Sequence, residues 1–136
     1  MTHAGACLCG AVRYEVHGPR EAFYLCHCGH CRKDTGSAFA ANAFSSHAEL
    51  GGPAGQDLVR VFRLPGTRHM RAFCSRCGSA LPYAAEGFVA VPVGSLDTPL
   101  AISPQAHLFF ASRAAWEEDL AALPTFPGLP ATPDGS

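Results

Sequence analysis

Apolar positions along this chain fall in short runs separated by glycine, proline and polar residues, and few runs hold a helical period. Ala11-Val12-Arg13-Tyr14-Glu15-Val16 alternates cleanly, which puts Val12, Tyr14 and Val16 on one face of a strand that His17-Gly18-Pro19 ends. Ala22–Leu25 reads as a further short strand, and Ser37–Phe44 is small and apolar enough for a buried one. Leu58–Leu64 is rich in β-formers, Pro65-Gly66 turns the chain, and Arg68–Phe73 returns as the hairpin partner. Ala80–Ala85 and Phe88–Val93 follow as strands joined at Glu86-Gly87, and the prolines within them, Pro82 and Pro92, point to edge positions or bulges. His107–Phe110 is the last strand expected. Helix is expected only in brief pieces: a turn over Cys31–Thr35 closed by Gly36, a short piece at Ser46–Leu50, and Ala114–Leu123, where Trp116 and Leu120 are spaced to share a helical face. The pattern therefore predicts a mainly β, single-domain fold with short helices and a C-terminal helical turn. The folded unit is expected over residues 3–126, and the proline-rich stretch 127–136 is expected to be a flexible tail.

Composition narrows the function classes. A chain of 136 residues with 48% apolar and 15% charged residues can bury a core and is not a disordered segment. A formal net charge of −1 without any Lys/Arg run gives no footprint for nucleic acid. The apolar runs are too short for a membrane-spanning helix. Met1-Thr2-His3-Ala4-Gly5 lacks a basic region followed by an apolar one, so no secretory leader and a cytoplasmic location are expected.

Seven cysteines change the picture most. An odd number cannot all pair, and clustered thiols in a reducing compartment more often bind metal. They fall in three motifs: Cys7-x-Cys9-Gly10, Cys26-His27-Cys28-x-x-Cys31 and Cys74-x-x-Cys77-Gly78. Zn²⁺ takes a tetrahedron of sulfur or nitrogen ligands, and a tight turn ending in glycine supplies two sulfurs at once. Cys26, Cys28 and Cys31 form a local trio, so Cys74 and Cys77 are expected to share an ion with Cys7 and Cys9. An iron–sulfur cluster is a rival, since thiolates serve both. For the trio two readings stand. Either His27, His30 or Asp34 closes a second site, or a fourth position is open, as in catalytic zinc. Three thiolates around Zn²⁺ leave a net negative charge, which suits an open site to holding a thiolate better than to making hydroxide.

Other residues carry weaker signals. Arg32 and Lys33 could attract carboxylates of a substrate, but an ordinary solvated turn is the favoured reading. Phe39, Phe44, Phe73 and Trp116 read as core, and His107 as a structural histidine. Ser37 and Ser79 have no base nearby in sequence and do not read as nucleophiles.

Several segments resemble the glutathione-dependent formaldehyde-activating family, also called centromere-protein-V-like. They are Cys7-Leu8-Cys9-Gly10-Ala11-Val12-Arg13-Tyr14, Cys26-His27-Cys28-Gly29-His30-Cys31-Arg32, Thr35-Gly36-Ser37-Ala38-Phe39 and Phe73-Cys74-Ser75-Arg76-Cys77-Gly78-Ser79, with His107-Leu108-Phe109 and Trp116 near the end. The resemblance implies a zinc-binding β-sheet fold of the type shared with methionine-R-sulfoxide reductases and a Rab exchange-factor suppressor. It implies two zinc ions. One is structural, on Cys7, Cys9, Cys74 and Cys77; the other, with partial occupancy expected, is of catalytic type on Cys26, Cys28 and Cys31. It further implies a carbon–sulfur lyase acting on a small thiol adduct such as S-hydroxymethylglutathione, with a non-catalytic zinc module as the alternative. The expected state is a monomer or homodimer without nucleic-acid or membrane partners.

Overall fold

A computed structural model describes residues 1–130. The chain forms β1 (Thr2–Ala6), β2 (Arg13–His17), β3 (Ala22–Cys26), α1 (Gly29–Thr35), β4 (Ala40–Ser45), β5 (Glu49–Ala54), β6 (Val59–Arg63), β7 (Met70–Cys74), β8 (Ala80–Leu81), β9 (Tyr83–Ala85), β10 (Phe88–Pro92) and β11 (Ala106–Leu108). These make three sheets, ordered β1-β2-β5, β11-β3-β4-β10-β9 and β6-β7-β8. Every named strand pair is antiparallel except β11 with β3, where Leu108 sits opposite Cys26. The mainly β expectation therefore holds.

The alternation in β2 does what its sequence requires: Val12, Tyr14 and Val16 are buried and begin the core. Ala72, Leu81, Val89 and Val91 complete it from β7, β8 and β10, and two cysteines, Cys7 and Cys74, belong to the same cluster. Hydrophobic burial thus brings the first and third cysteine motifs together before any ion is considered. Gly5 has a specific task in this packing. A Cβ there would overlap the Tyr14 hydroxyl, which hydrogen-bonds Ser95 Oγ at 2.6 Å.

Four expectations need correction. Ser46–Leu50 is not helical; Ser46 and His47 turn the chain and Glu49 begins β5, held in register against β2. Ala114–Leu123 is not one helix but two 3₁₀ turns, Ala115–Glu117 and Leu120–Ala122. Asp119 between them takes a left-handed φ of 54°. Trp116 is 64% exposed, so the shared helical face has nothing to pack on, and Trp116 is not core. Pro92 is not at a sheet edge; it ends β10, which lies between β4 and β9. β1, built of small and polar residues, lacks an alternating apolar signal and owes its place to five-residue pairing with β2. Of the expected tail, residues 131–136 lie outside the described residues.

Candidate metal centres

The first centre is assembled from two turns of the same design. After β1, the Gly10 N–H donates to the Cys7 carbonyl at 3.1 Å; after β7, the Gly78 N–H donates to the Cys74 carbonyl at 2.7 Å. Gly10 and Gly78 take φ of 78° and 76°, a region where a Cβ is strained. Each turn also aims a backbone N–H at its first sulfur: Val12 N–H at Cys7 Sγ, 3.3 Å, and Arg76 N–H at Cys74 Sγ, 3.4 Å. The sulfurs of Cys7, Cys9, Cys74 and Cys77 all lie within 4.8 Å of one another. Cys7 and Cys9 Sγ are 3.5 Å apart, and Cys9 and Cys74 Sγ 4.0 Å. Tetrahedral zinc–thiolate geometry requires sulfur separations of about 3.8 Å. The separations are too long for disulfides, and all seven cysteines are free. The donor set fits a thiophilic ion.

Ser79 ties the two turns together. Its Oγ accepts from the Leu8 N–H at 2.8 Å and lies 3.3 Å from Cys77 Sγ. The Ser79 hydroxyl and backbone hold the Cys77 thiol well below 9.0, at about 5. Cys9 behaves oppositely: the Ala11 backbone favours its thiolate, yet the Cys7 sulfur and its other neighbours push it up to about 11. One thiol of the group thus ionises early and another late.

The second centre lies where β3 runs into α1. Cys26 ends β3, Cys28 caps α1, and Cys31 stands in its first turn with its N–H 3.3 Å from Cys28 Sγ. Gly36 ends α1 with a left-handed φ of 63°, donating to the Arg32 carbonyl. The sulfurs of Cys26, Cys28 and Cys31 lie within 4.8 Å of one another, each half-buried. Among the described residues no histidine or carboxylate joins them at that distance. Burial opposes ionisation of Cys28, but the Cys31 N–H and the neighbouring sulfurs outweigh it and lower its pKa; burial and the same sulfurs push Cys31 well up.

Each candidate fourth ligand is engaged elsewhere or set apart. His27, fully buried, turns away from the sulfurs: its Nδ1 is 3.0 Å from Glu117 Oε2 and its Nε2 2.8 Å from His107 Nδ1. Asp34 is held by Arg71 and His69, with Arg71 Nη1 at 2.6 Å from Oδ1 and His69 Nε2 at 2.8 Å from Oδ2. His30 lies over the His69 ring, centroids 5.5 Å apart. Arg32 donates to the Ser112 carbonyl at 3.1 Å, and Lys33 makes no internal hydrogen bond or ion pair among the described residues. His107 is thus a hydrogen-bonded histidine, as expected. Sequence reasoning missed Glu117, Arg71 and His69 because nothing local marks them; each acts across more than 30 residues of chain.

These observations define a β-protein with two cysteine clusters, each able to hold a metal ion. The chain belongs to the glutathione-dependent formaldehyde-activating enzyme family, whose sequence model matches residues 2–112. A Halomonas elongata protein described as a "Putative glutathione-dependent formaldehyde-activating enzyme" is 32% identical over 134 residues, covering 87% of this chain and 81% of its own. A crystal structure of a Rhodobacter sphaeroides protein superimposes with a TM-score of 0.56 at 26% identity, covering 76% of this chain and 98% of that one.

Proposed function

We propose that this protein is a zinc-dependent carbon–sulfur lyase that interconverts glutathione plus formaldehyde and S-hydroxymethylglutathione. Cys7, Cys9, Cys74 and Cys77 would hold a structural ion and close its coordination. Cys26, Cys28 and Cys31 would hold the second. The observation that carries the reading is the contrast between these clusters: four sulfurs in one, three sulfurs and no further protein ligand within reach in the other. When bound by three thiolates, zinc supplies a soft, weakly acidic centre that favours a thiol in its ionised form.

The residues of the chain do the remaining work. α1 fixes Cys28 and Cys31 through a backbone N–H···S bond, and β3 fixes Cys26, so the three sulfurs present one geometry. Glu117 and His107 clamp His27, which lies between two of the ligating cysteines and so steadies the backbone that carries them. In the forward direction the substrate sulfur bonds to the aldehyde carbon, and the thiol proton ends on the carbonyl oxygen; in reverse the C–S bond breaks and the proton returns to sulfur. Rate is gained from orientation, which can contribute several kcal/mol when reacting atoms are held close.

Exchange of labelled formaldehyde with S-hydroxymethylglutathione tests this. The zinc-loaded protein is expected to exceed the buffer background and Cys28→Ser to fall back to it. A wild-type rate equal to background would end the claim and leave a non-catalytic zinc module.

A further inference from the structure

β6 stands at the outer edge of the β6-β7-β8 sheet. Beyond its two ends the Leu64 N–H donates to the His69 carbonyl at 2.9 Å, and the Ser75 N–H to the Leu58 carbonyl at 2.8 Å. The even-numbered residues of β6 therefore spend their backbone groups on β7, and Val59, Val61 and Arg63 turn theirs outward. Val59 is already engaged: its N–H donates to the Gln56 carbonyl, and its own carbonyl accepts from Arg60 Nη1 at 3.0 Å. Among the described residues, the N–H and carbonyl groups of Val61 and Arg63 have no backbone partner. Both faces of this edge also carry exposed apolar surface. Val61 is 57% and Phe62 53% exposed, and they point to opposite faces. Phe62 and Leu64 border a cleft of about 480 Å³ whose far wall is α1. Val61 borders a second recess, of about 160 Å³, with Leu50 and Tyr83. Between Asp57 and Glu86 the sequence holds five arginines, Arg60, Arg63, Arg68, Arg71 and Arg76, and no acidic residue, although the whole chain carries −1. Arg71 is paired with Asp34, but Arg60 and Arg63, which flank the open part of the edge, make no ion pair among the described residues.

We propose that β6 receives an extended acidic segment of a partner protein as an added strand. Main-chain bonds to Val61 and Arg63 form the ladder, and alternate side chains of the segment fall towards the recess on either face. The register sets the sequence it takes. Residues opposite Val61 and Phe62 are apolar and those opposite Arg60 and Arg63 are acidic, so the core reads acidic, apolar, apolar, acidic. Charge decides between this occupant and a second copy of the chain. A β6 paired with another β6 has no acidic residue to set against Arg60 or Arg63, and it crowds four arginines along one seam. A polyphosphate strand would meet the arginines, yet it would set acceptor oxygens against the outward carbonyls, which need a donor.

The test uses the zinc-loaded full chain and a blocked peptide whose core reads glutamate-valine-valine-glutamate. The peptide is expected to slow hydrogen exchange at the Val61 and Arg63 amides and to bind more weakly as salt rises. The same peptide N-methylated at both valines lacks the ladder donors and is expected to bind at least about tenfold more weakly. Arg63→Glu is expected to weaken the acidic peptide roughly three- to ten-fold and to favour a counterpart carrying lysine for glutamate. Val61→Pro removes an outward N–H without touching a bond to β7, so it is expected to abolish binding while zinc content stays at the wild-type level. No protection at Val61 and Arg63, equal affinity of the N-methylated peptide, or an Arg63→Glu chain that still prefers the acidic peptide would overturn the proposal. A concentration-dependent dimer that protects the same two amides without peptide would also overturn it and give the edge to a second copy.

Discussion

Ser79 shows how much one hydroxyl can set. It receives the Leu8 N–H from one turn and faces the Cys77 sulfur of the other, and it is the leading reason that Cys77 is held at about 5 rather than 9.0. In the metal-free protein the folded chain therefore binds the Cys77 proton more weakly than the unfolded chain does. The stabilisation this gives is complete above 9.0 and is lost as pH falls through about 5. A thiolate absorbance titration of the metal-free protein should show a first step near 5, and Ser79→Ala should move that step upward towards 9.0. An unmoved first step would mean that the other sulfurs, not Ser79, hold the charge. The sequence marked Ser79 only as a poor nucleophile. Its real partners are a sulfur two residues away and a backbone group 71 residues away, and only the second is invisible in the sequence.

At the scale of elements, the C-terminal turns matter for one contact. Glu117 comes from a segment with little burial of its own, yet its carboxylate is 5% exposed against His27. With His27 neutral, its Nδ1–H donates to Glu117 and its Nε2 accepts from His107 Nδ1–H, so both ring nitrogens are satisfied in an apolar cage with Phe39 and Phe110. Glu117→Ala strands a buried ring nitrogen and should cost about 1–3 kcal/mol in urea unfolding of the zinc-loaded protein. Glu117→Gln, whose amide oxygen still accepts, should cost less. Equal stability of all three proteins would show that the C-terminal segment does not anchor β3. The strands β2, β6, β7 and β10 were legible because alternation and β-branched residues report burial locally. The Ser46–Leu50 and Ala114–Leu123 segments were not, because their conformation is imposed by a partner: β2 recruits β5, and Glu117 is drawn to a histidine just beyond β3, 90 residues away.

At the scale of the molecule, the cysteine spacing foretold both clusters because a tight glycine-ended turn is a local device and the pairing of distant turns follows from core burial of Cys7 and Cys74. What spacing could not foretell is which side chains surround the trio, since Asp34, His69 and Arg71 meet only when α1 packs near β7.

Arg71 reaches in two directions at once, to the Asp34 side chain and carbonyl on the helix of the trio and to the Gly78 carbonyl in the turn of the quartet. If filling one cluster stiffens this strut, linkage requires that each ion raise the affinity for its counterpart by the same factor. At limiting zinc, native mass spectrometry should find doubly filled and empty chains in excess over a random distribution, and Arg71→Gln should restore the random one. The protein would then behave as a coincidence detector for its own cofactor: chains missing either ion drop out of the working population together.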